Sequence, residues 1–354
     1  MKRCLVTLII CASTFAVLAQ QPKVSNTQFT VEPIGGNLTA TVDRFRHSSE
    51  QLWLGYEVPA LSQSHLSTCS NWSDTSQMDD GCCGEYRLEE NGNYGMNRGE
   101  KTPAVQNIYV LLRFDHGQLI RIRPVMAGCR LDAGGVAFTW LTGVQQEESV
   151  AFLAQLVTQT VESNRSRIID GALLSISYHS SSAATDALTQ IALSGAPMHT
   201  REQAAFWLGV QRGHEGFLAL QSLGKKSNEP TFREKLPFDF SQNSDPAAQD
   251  ELLHMAKFDA DPKVREQALF WIAQKAGKKA AAALTDAIQN DPETDVKKRA
   301  VFALSQLPKD ESVPQLIHVA DTNSNPSVRK EAIFWLGQSQ DSRALAYLEQ
   351  VLKR

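Results

Sequence analysis

Apolar and polar positions in the second half of the chain recur every 32 residues. VREQALFWIAQ (264–274) returns as VRKEAIFWLGQ (328–338), two such steps further on. With Arg265 as origin, steps of 32 reach Arg233, Arg201, Lys297 and Arg329, and an incomplete copy begins near Ile169. Offsets −1, +3 and +7 are apolar, as in Val264, Ala268 and Ile272 or Val328, Ala332 and Leu336. They form one stripe of an α-helix, helix A. Offset +19 is leucine throughout (Leu188, Leu220, Leu252, Leu284, Leu316, Leu348), and offset +15 is small (Ala184, Gly216, Ala248, Ala280, Ser312, Ala344). These mark the inner face of helix B, where a small residue lets two helices approach. Asp261-Pro262 and Asn325-Pro326 supply an N-cap and a first-turn proline, Glu229-Pro230 does so more weakly, and Pro308-Lys309-Asp310 and Gln340-Asp341-Ser342 mark turns. A short amphipathic hairpin cannot bury its stripe alone, but a stack of hairpins can. The pattern predicts an all-α α-α superhelix of about six hairpins over 146–354, capped by a helix at 148–161 that puts Leu156 in register.

Two columns depart from a plain core. Offset +5 carries Leu174, then Phe206, Phe238, Phe270, Phe302 and Phe334. At 100° per residue it lies about 160° from offset +3. The rings either pack between successive A helices or form an exposed strip that binds a partner. Trp207, Trp271 and Trp335 follow at +6, where unit five has Ala303. The unit FREKLPFDFSQ (232–242) places Pro237 inside helix A and Asp239 at +6. Proline there predicts a kink or a late start, read as a tolerated defect or as a bend in the superhelix. The basic residues at the origin read as a ladder pairing with acids of adjacent units, with Asp261, Asp295 and Glu293 near at hand.

Residues 20–145 alternate differently. QLWLGYEV (51–58) reads as a strand, and NIYVLLRF (107–114) and QLIRIRPV (118–125), joined by Asp115-His116-Gly117, as a β-hairpin. GNLTATVDRF (36–45) is a short helix with Leu38, Val42 and Phe45 inward, and GGVAFTWLTG (134–143) a strand or loop. Residues 62–103 are polar with little periodicity. Together they predict a small α+β domain with a long, disulfide-rich loop.

The repeated segments resemble the short HEAT-like repeats named after the phycobilisome lyases, whose units run close to V-R-x-x-A-A-x-A-L-G. The resemblance covers about 165–354 and implies a superhelix that binds other proteins, with no one reaction attached. The front part, with Trp53-Leu54-Gly55-Tyr56, Cys82-Cys83-Gly84 and Cys129-Arg130-Leu131-Asp132-Ala133-Gly134-Gly135, is similar to that of some secreted bacterial HEAT-repeat proteins. That likeness implies location and architecture only.

The first residues add a destination. Lys2 and Arg3 precede the apolar run LVTLIICASTFAVLA, with small residues at Val17 and Ala19, as in a signal peptide (1–19) cleaved after Ala19 into a periplasmic or secreted protein. The alternative is a retained anchor, but the run is short for a span. Loss of Lys2 and Arg3 takes the formal net charge from −4 to about −6, and no long basic block exists, which argues against nucleic acid as a partner.

Four cysteines then remain: Cys69, Cys82, Cys83 and Cys129. In an oxidising compartment they are disulfide candidates with three connectivities. His65 with the cysteines could form a zinc site, but H-x3-C-x12-C-C lacks paired C-x2-C hooks, and a redox thiol site lacks C-x-x-C. G-x-S-x-G, P-loop and H-E-x-x-H signatures are missing. The expectation is an exported scaffold that binds an unidentified protein partner through its helical surface, without catalysis, cofactor or metal, and with no membrane span in the mature chain. The rival is a thiol- or metal-dependent enzyme, or a lyase-like protein, using the cysteine region.

Overall fold

The structure is a computed structural model that describes residues 21–61, 78–79, 82–83, 85–90, 107–159, 166–275 and 278–353. The leader, His65 and Cys69 lie outside them. Its strands are β1 (Val24–Ser25), β2 (Phe29–Pro33), β3 (Leu52–Pro59), β4 (Met78–Asp79), β5 (Cys82–Cys83), β6 (Glu85–Arg87), β7 (Asn107–Asp115), β8 (Gln118–Met126), β9 (Arg130–Asp132) and β10 (Ala137–Thr142). A five-stranded sheet runs β2-β10-β3-β7-β8, parallel across its first three strands and antiparallel across the rest. The hairpin turn between β7 and β8 needs positive φ at His116 (47°) and Gly117 (78°), which matches the right-handed strand twist. The segment 134–143, left open between strand and loop, contributes the inner strand β10. Helix α1 (Leu38–Phe45) is capped by Asn37, whose side chain accepts from the Ala40 N–H at 2.8 Å, with Leu38 and Val42 buried.

From Gln146 onward the chain is helical: α2 (Gln146–Gln159), then hairpins α3 (Gly171–Tyr178) with α4 (Ser182–Leu193), α5 (Met198–Gln211) with α6 (Gly213–Lys226), a split helix α7 (Pro230–Arg233) plus α8 (Leu236–Gln242) with α9 (Ala247–Phe258), α10 (Pro262–Lys275) with α11 (Lys278–Asn290), α12 (Thr294–Ser305) with α13 (Lys309–Thr322), and α14 (Pro326–Gln338) with α15 (Ser342–Leu352). This is an α+β region followed by a helical-hairpin solenoid. Each hairpin packs on the next through its A helices, and most also do so through their B helices. Ala268, Ile272, Ala300, Leu304, Leu220 and Leu284 are fully buried, as columns shared by successive units require. Pro237 breaks helix A instead of kinking it. The helix restarts at Leu236, so the proline falls in a first turn, where no N–H is needed.

The basic ladder staples the loops between units, and its partners differ from the expected acids. Arg265 makes a two-point ion pair with Asp291 (2.7 and 3.0 Å) and donates to the Asp259 carbonyl at 2.8 Å. Arg233 pairs with Asp259 at 2.6 Å and Arg201 with Glu229. Arg329 donates to the Asn323 carbonyl at 2.8 Å and Lys297 to the Gln289 carbonyl at 3.0 Å. Asp261 is instead spent as the N-cap of Lys263, and Asp295 lies 3.8 Å from Lys298. For Arg233 and Arg265 the partner stands at offset +26, a column in which Ser227, Asp259, Asp291 and Asn323 each accept from a backbone N–H two residues on. That turn aims the side chain back at the preceding unit.

Sheet and solenoid share one core. Residue 171, where α3 starts, lies against the β8 backbone: a Cβ there would stand 2.2 Å from the Ile122 carbonyl oxygen. Beside it a buried polar chain crosses the junction. Tyr56 Oη and Ser149 Oγ lie 2.9 Å apart, Ser149 Oγ and His179 Nε2 2.8 Å, and His179 Nδ1 and the Ser175 carbonyl oxygen 2.8 Å. A carbonyl only accepts, so Nδ1 carries the proton and Nε2 accepts from Ser149. Arg212, also buried, donates to the His179 and Ser181 carbonyls and to Thr185. Burial first, and then the nearby Arg212 charge, push the His179 imidazole down to about 4 against its hydrogen bond to Ser175. The folded state therefore holds His179 neutral at pH values where the unfolded chain binds a proton. Stability is untouched above about pH 6.5 and falls as pH drops toward 4, by about 1.4 kcal/mol per unit and roughly 3 kcal/mol in all. Comparing denaturation midpoints of wild type and His179→Gln between pH 7.5 and 4.5 checks this: the variant is expected to lose that part of the slope.

Candidate partner-binding face

Each A helix places its offset +5 ring beside the rings of the neighbouring units, and the result is a single run of aromatic contacts. Trp207 meets Phe206 edge-on (4.9 Å between centroids), and Phe206 stacks on Phe238 (5.9 Å). Phe238 meets Trp271 (4.7 Å), which meets Phe270 (5.0 Å). Phe270 stacks on Phe302 (6.2 Å), which meets Trp335 (5.0 Å) and so Phe334 (5.1 Å). The rings pack on one another between successive helices, yet Phe206, Phe238, Phe270 and Phe302 stay half-buried and Phe334 is 53% exposed. The ridge begins at Phe206, because Leu174 in the first unit is buried.

The tryptophan column explains the order of contacts. Where the next unit supplies an indole at +6, the phenylalanine packs on it: Phe238 on Trp271 and Phe302 on Trp335. Where it does not, the phenylalanine stacks on its counterpart one unit on. Ala303 leaves such a gap, and Arg299 fills it, its guanidinium carbon 5.0 Å from the Phe270 centroid and 4.9 Å from that of Phe302. A cation over two ring faces is attracted by both.

Asp239 leaves the other gap. It is 2% exposed, with Oδ2 unpartnered among the described residues. Burial, with Glu202 nearby, holds its carboxyl well above the usual carboxylate range. Nothing in the repeat pattern marks Asp239 as more than an irregularity, nor His179 or Arg212 as buried.

Of the candidate cysteines, Cys129 alone has a described side chain. Cys129 is buried and disulfide-bonded. Cys82 and Cys83 form β5, which pairs with β4 through Cys83 opposite Met78. Their side chains, like Cys69, lie outside the described residues. Among the described residues no three His, Cys, Asp or Glu side chains cluster as metal ligands, and no helix is long and apolar enough to cross a membrane.

Residues 281–354 match the HEAT repeats family. The match covers the last two hairpins and most of α11, and the other units carry the same register. No curated protein matches the chain. Among solved structures, human deoxyhypusine hydroxylase in complex with glycerol is similar at 19% identity (TM-score 0.30), over 58% of this chain and 90% of that one. Kap121p is similar at 13% identity (TM-score 0.38), over 58% of this chain and 27% of its own length. The complex of CpcE and CpcF of phycocyanin lyase from a Nostoc species is similar at 17% identity (TM-score 0.32), over 58% and 80%. Two of the three are enzymes by name, and at such distances none carries a reaction across. Residues 281–354 are thus similar to HEAT repeats, and they lie within a helical-hairpin solenoid that begins at Gln146.

Proposed function

We propose that this chain is an exported binding protein that holds a protein partner along the aromatic ridge of its A helices and catalyses no reaction itself. The observation that carries the reading is the unbroken run of rings from Trp207 to Phe334, half-buried inside the fold and ending in the exposed Phe334. Aromatic side chains fixed in place by their neighbours lose little entropy on binding and dominate interface energetics. Export is supported by the basic-then-apolar leader and by the bonded state of Cys129, which belongs in an oxidising compartment. The same bond favours a structural role for the cysteine region over a thiol enzyme.

A photo-crosslinking residue placed at 302 or 334 and activated in the native cell envelope tests the proposal. The expected result is a discrete crosslinked species, whose yield through 302 falls at least about tenfold when Phe334→Ser is added, the scale of one interface hot spot. Phe334 is exposed, so the variant is expected to keep its denaturation midpoint. Equal capture by wild type and variant would remove the ridge from the reading.

A further inference from the structure

The two gaps in the tryptophan column are built alike but filled differently. Phe270 and Phe302 stack with 3° between their planes, and Phe206 and Phe238 with 11°. Over the first pair lies Arg299. The residue in register with Arg299, 64 positions earlier, is Lys235. It does not repeat the arrangement, because helix A breaks there: Lys235 is the N-cap of α8 rather than a mid-helix residue, and its exposed ammonium points to Glu202 at 3.9 Å. Where a tryptophan would stand in the neighbouring units, the short Asp239 side chain leaves a cavity of about 350 Å³, lined by Phe206, Phe238, Asp239, Glu202, Lys235 and His199. Two stacked rings line it, and two carboxyl groups line it against one lysine. One of those, Asp239, is almost wholly buried and has an oxygen without a donor.

The geometry points to a binding pocket for an arginine side chain of the partner polypeptide, its guanidinium laid across Phe206 and Phe238 as Arg299 lies across Phe270 and Phe302, and its N–H groups directed at Asp239 and Glu202. The carboxyl torsion of aspartate is soft, so either Asp239 oxygen can turn to meet the guest. A planar fork of donors suits a carboxylate and a ring face at once, which an ammonium does less well. A guest cation at Asp239 also supplies the charge that makes its ionised form tolerable. This pocket deepens the reading of the ridge as a partner face and rests on it for its biological occupant.

The test is titration of the purified chain with N-acetyl-arginine amide, followed by the fluorescence of Trp207 and Trp271 and by NMR. Saturable binding is expected with a dissociation constant on the order of 1 mM, as suits one small side chain. The capped citrulline analogue, isosteric but uncharged, is expected to bind at least tenfold more weakly, and capped lysine between the two. Asp239→Trp, which restores the residue of the neighbouring units, is expected to abolish binding, and Glu202→Gln, at the rim, to weaken it about threefold to tenfold. Should Asp239→Trp fail to fold, Phe206→Leu removes one ring wall and is expected to cost at least tenfold. Equal binding of arginine and citrulline, no saturation, or full binding by folded Asp239→Trp overturns the pocket. Arginine uptake without crosslinking through 302 or 334 leaves the pocket standing and removes the wider face, and the converse pair of results does the reverse.

Discussion

Gly171→Ala is expected to destabilise the whole chain by about 3 kcal/mol or more, the upper end of what overpacking costs. The new methyl would stand 2.2 Å from the Ile122 carbonyl oxygen and 2.9 Å from its carbon. Both are backbone atoms of a central segment of β8, so no side chain can swing aside. Either α3 retreats from the sheet or β8 bends. Retreat would also strain the polar chain from Tyr56 through Ser149 to His179, because His179 follows α3 directly. Gly337→Ala is the matched control. A Cβ there meets nothing within 4 Å, inside α14, so that substitution is expected to raise stability by up to about 1 kcal/mol through helix propensity. Chemical denaturation of the two variants checks the pair. Hydrogen exchange is expected to place the Gly171→Ala loss at α3 and β8 first.

Arg265→Ala is the second large effect, expected at about 3–5 kcal/mol. The arginine and Asp291 are both buried, and truncating one partner leaves the other as an uncompensated buried charge. The guanidinium also bonds the Asp259 carbonyl at the end of the preceding B helix, so its loss loosens the loops on both sides of the α10–α11 hairpin. Adding Asp291→Ala is expected to recover part of the loss, since the stranded carboxylate goes with it. Arg329→Ala, where the arginine meets only the backbone carbonyls of Asn323 and Ser324, is expected to cost less than half as much. Thermal denaturation of the three variants reads the ranking. A solenoid stabilised by nearest-neighbour interfaces should show the damage as a broader transition as well as a lower midpoint.

The helical half was legible because its information is local and repeated. A stripe at −1, +3 and +7 fixes helix A whatever surrounds it, and Leu220 or Leu284 at +19 needs only its own hairpin to be placed. The front region was legible in its pieces: the β7–β8 hairpin from its turn residues and α1 from its periodicity. Its order was not. Strand β10 pairs with β2 about 109 residues away and with β3 about 85 residues away, and parallel pairings leave no turn signal. The ladder shows the intermediate case. That Arg233 and Arg265 would pair with acids was readable, but the choice of Asp259 and Asp291 over Asp261, Glu293 and Asp295 depended on which way the loop turned its side chains.

The candidate face divides in the same way. The phenylalanine column could be read as a column, and the missing tryptophan at 239 as a break in it. Whether a ring is covered or open is decided by what the next unit holds at +6, and by how closely the two A helices approach. By itself the sequence determined the repeat, the helices and the residues that each hairpin buries, because 3.6-residue periodicity and a 32-residue register are properties of neighbouring positions. Only the tertiary structure decided the strand order, the partners of the arginines, the neutral His179 and the cavity beside Asp239, because each of these sets side chains from distant segments against one another. Burial, which settles their charge and their hydrogen bonds, exists only once those segments have met.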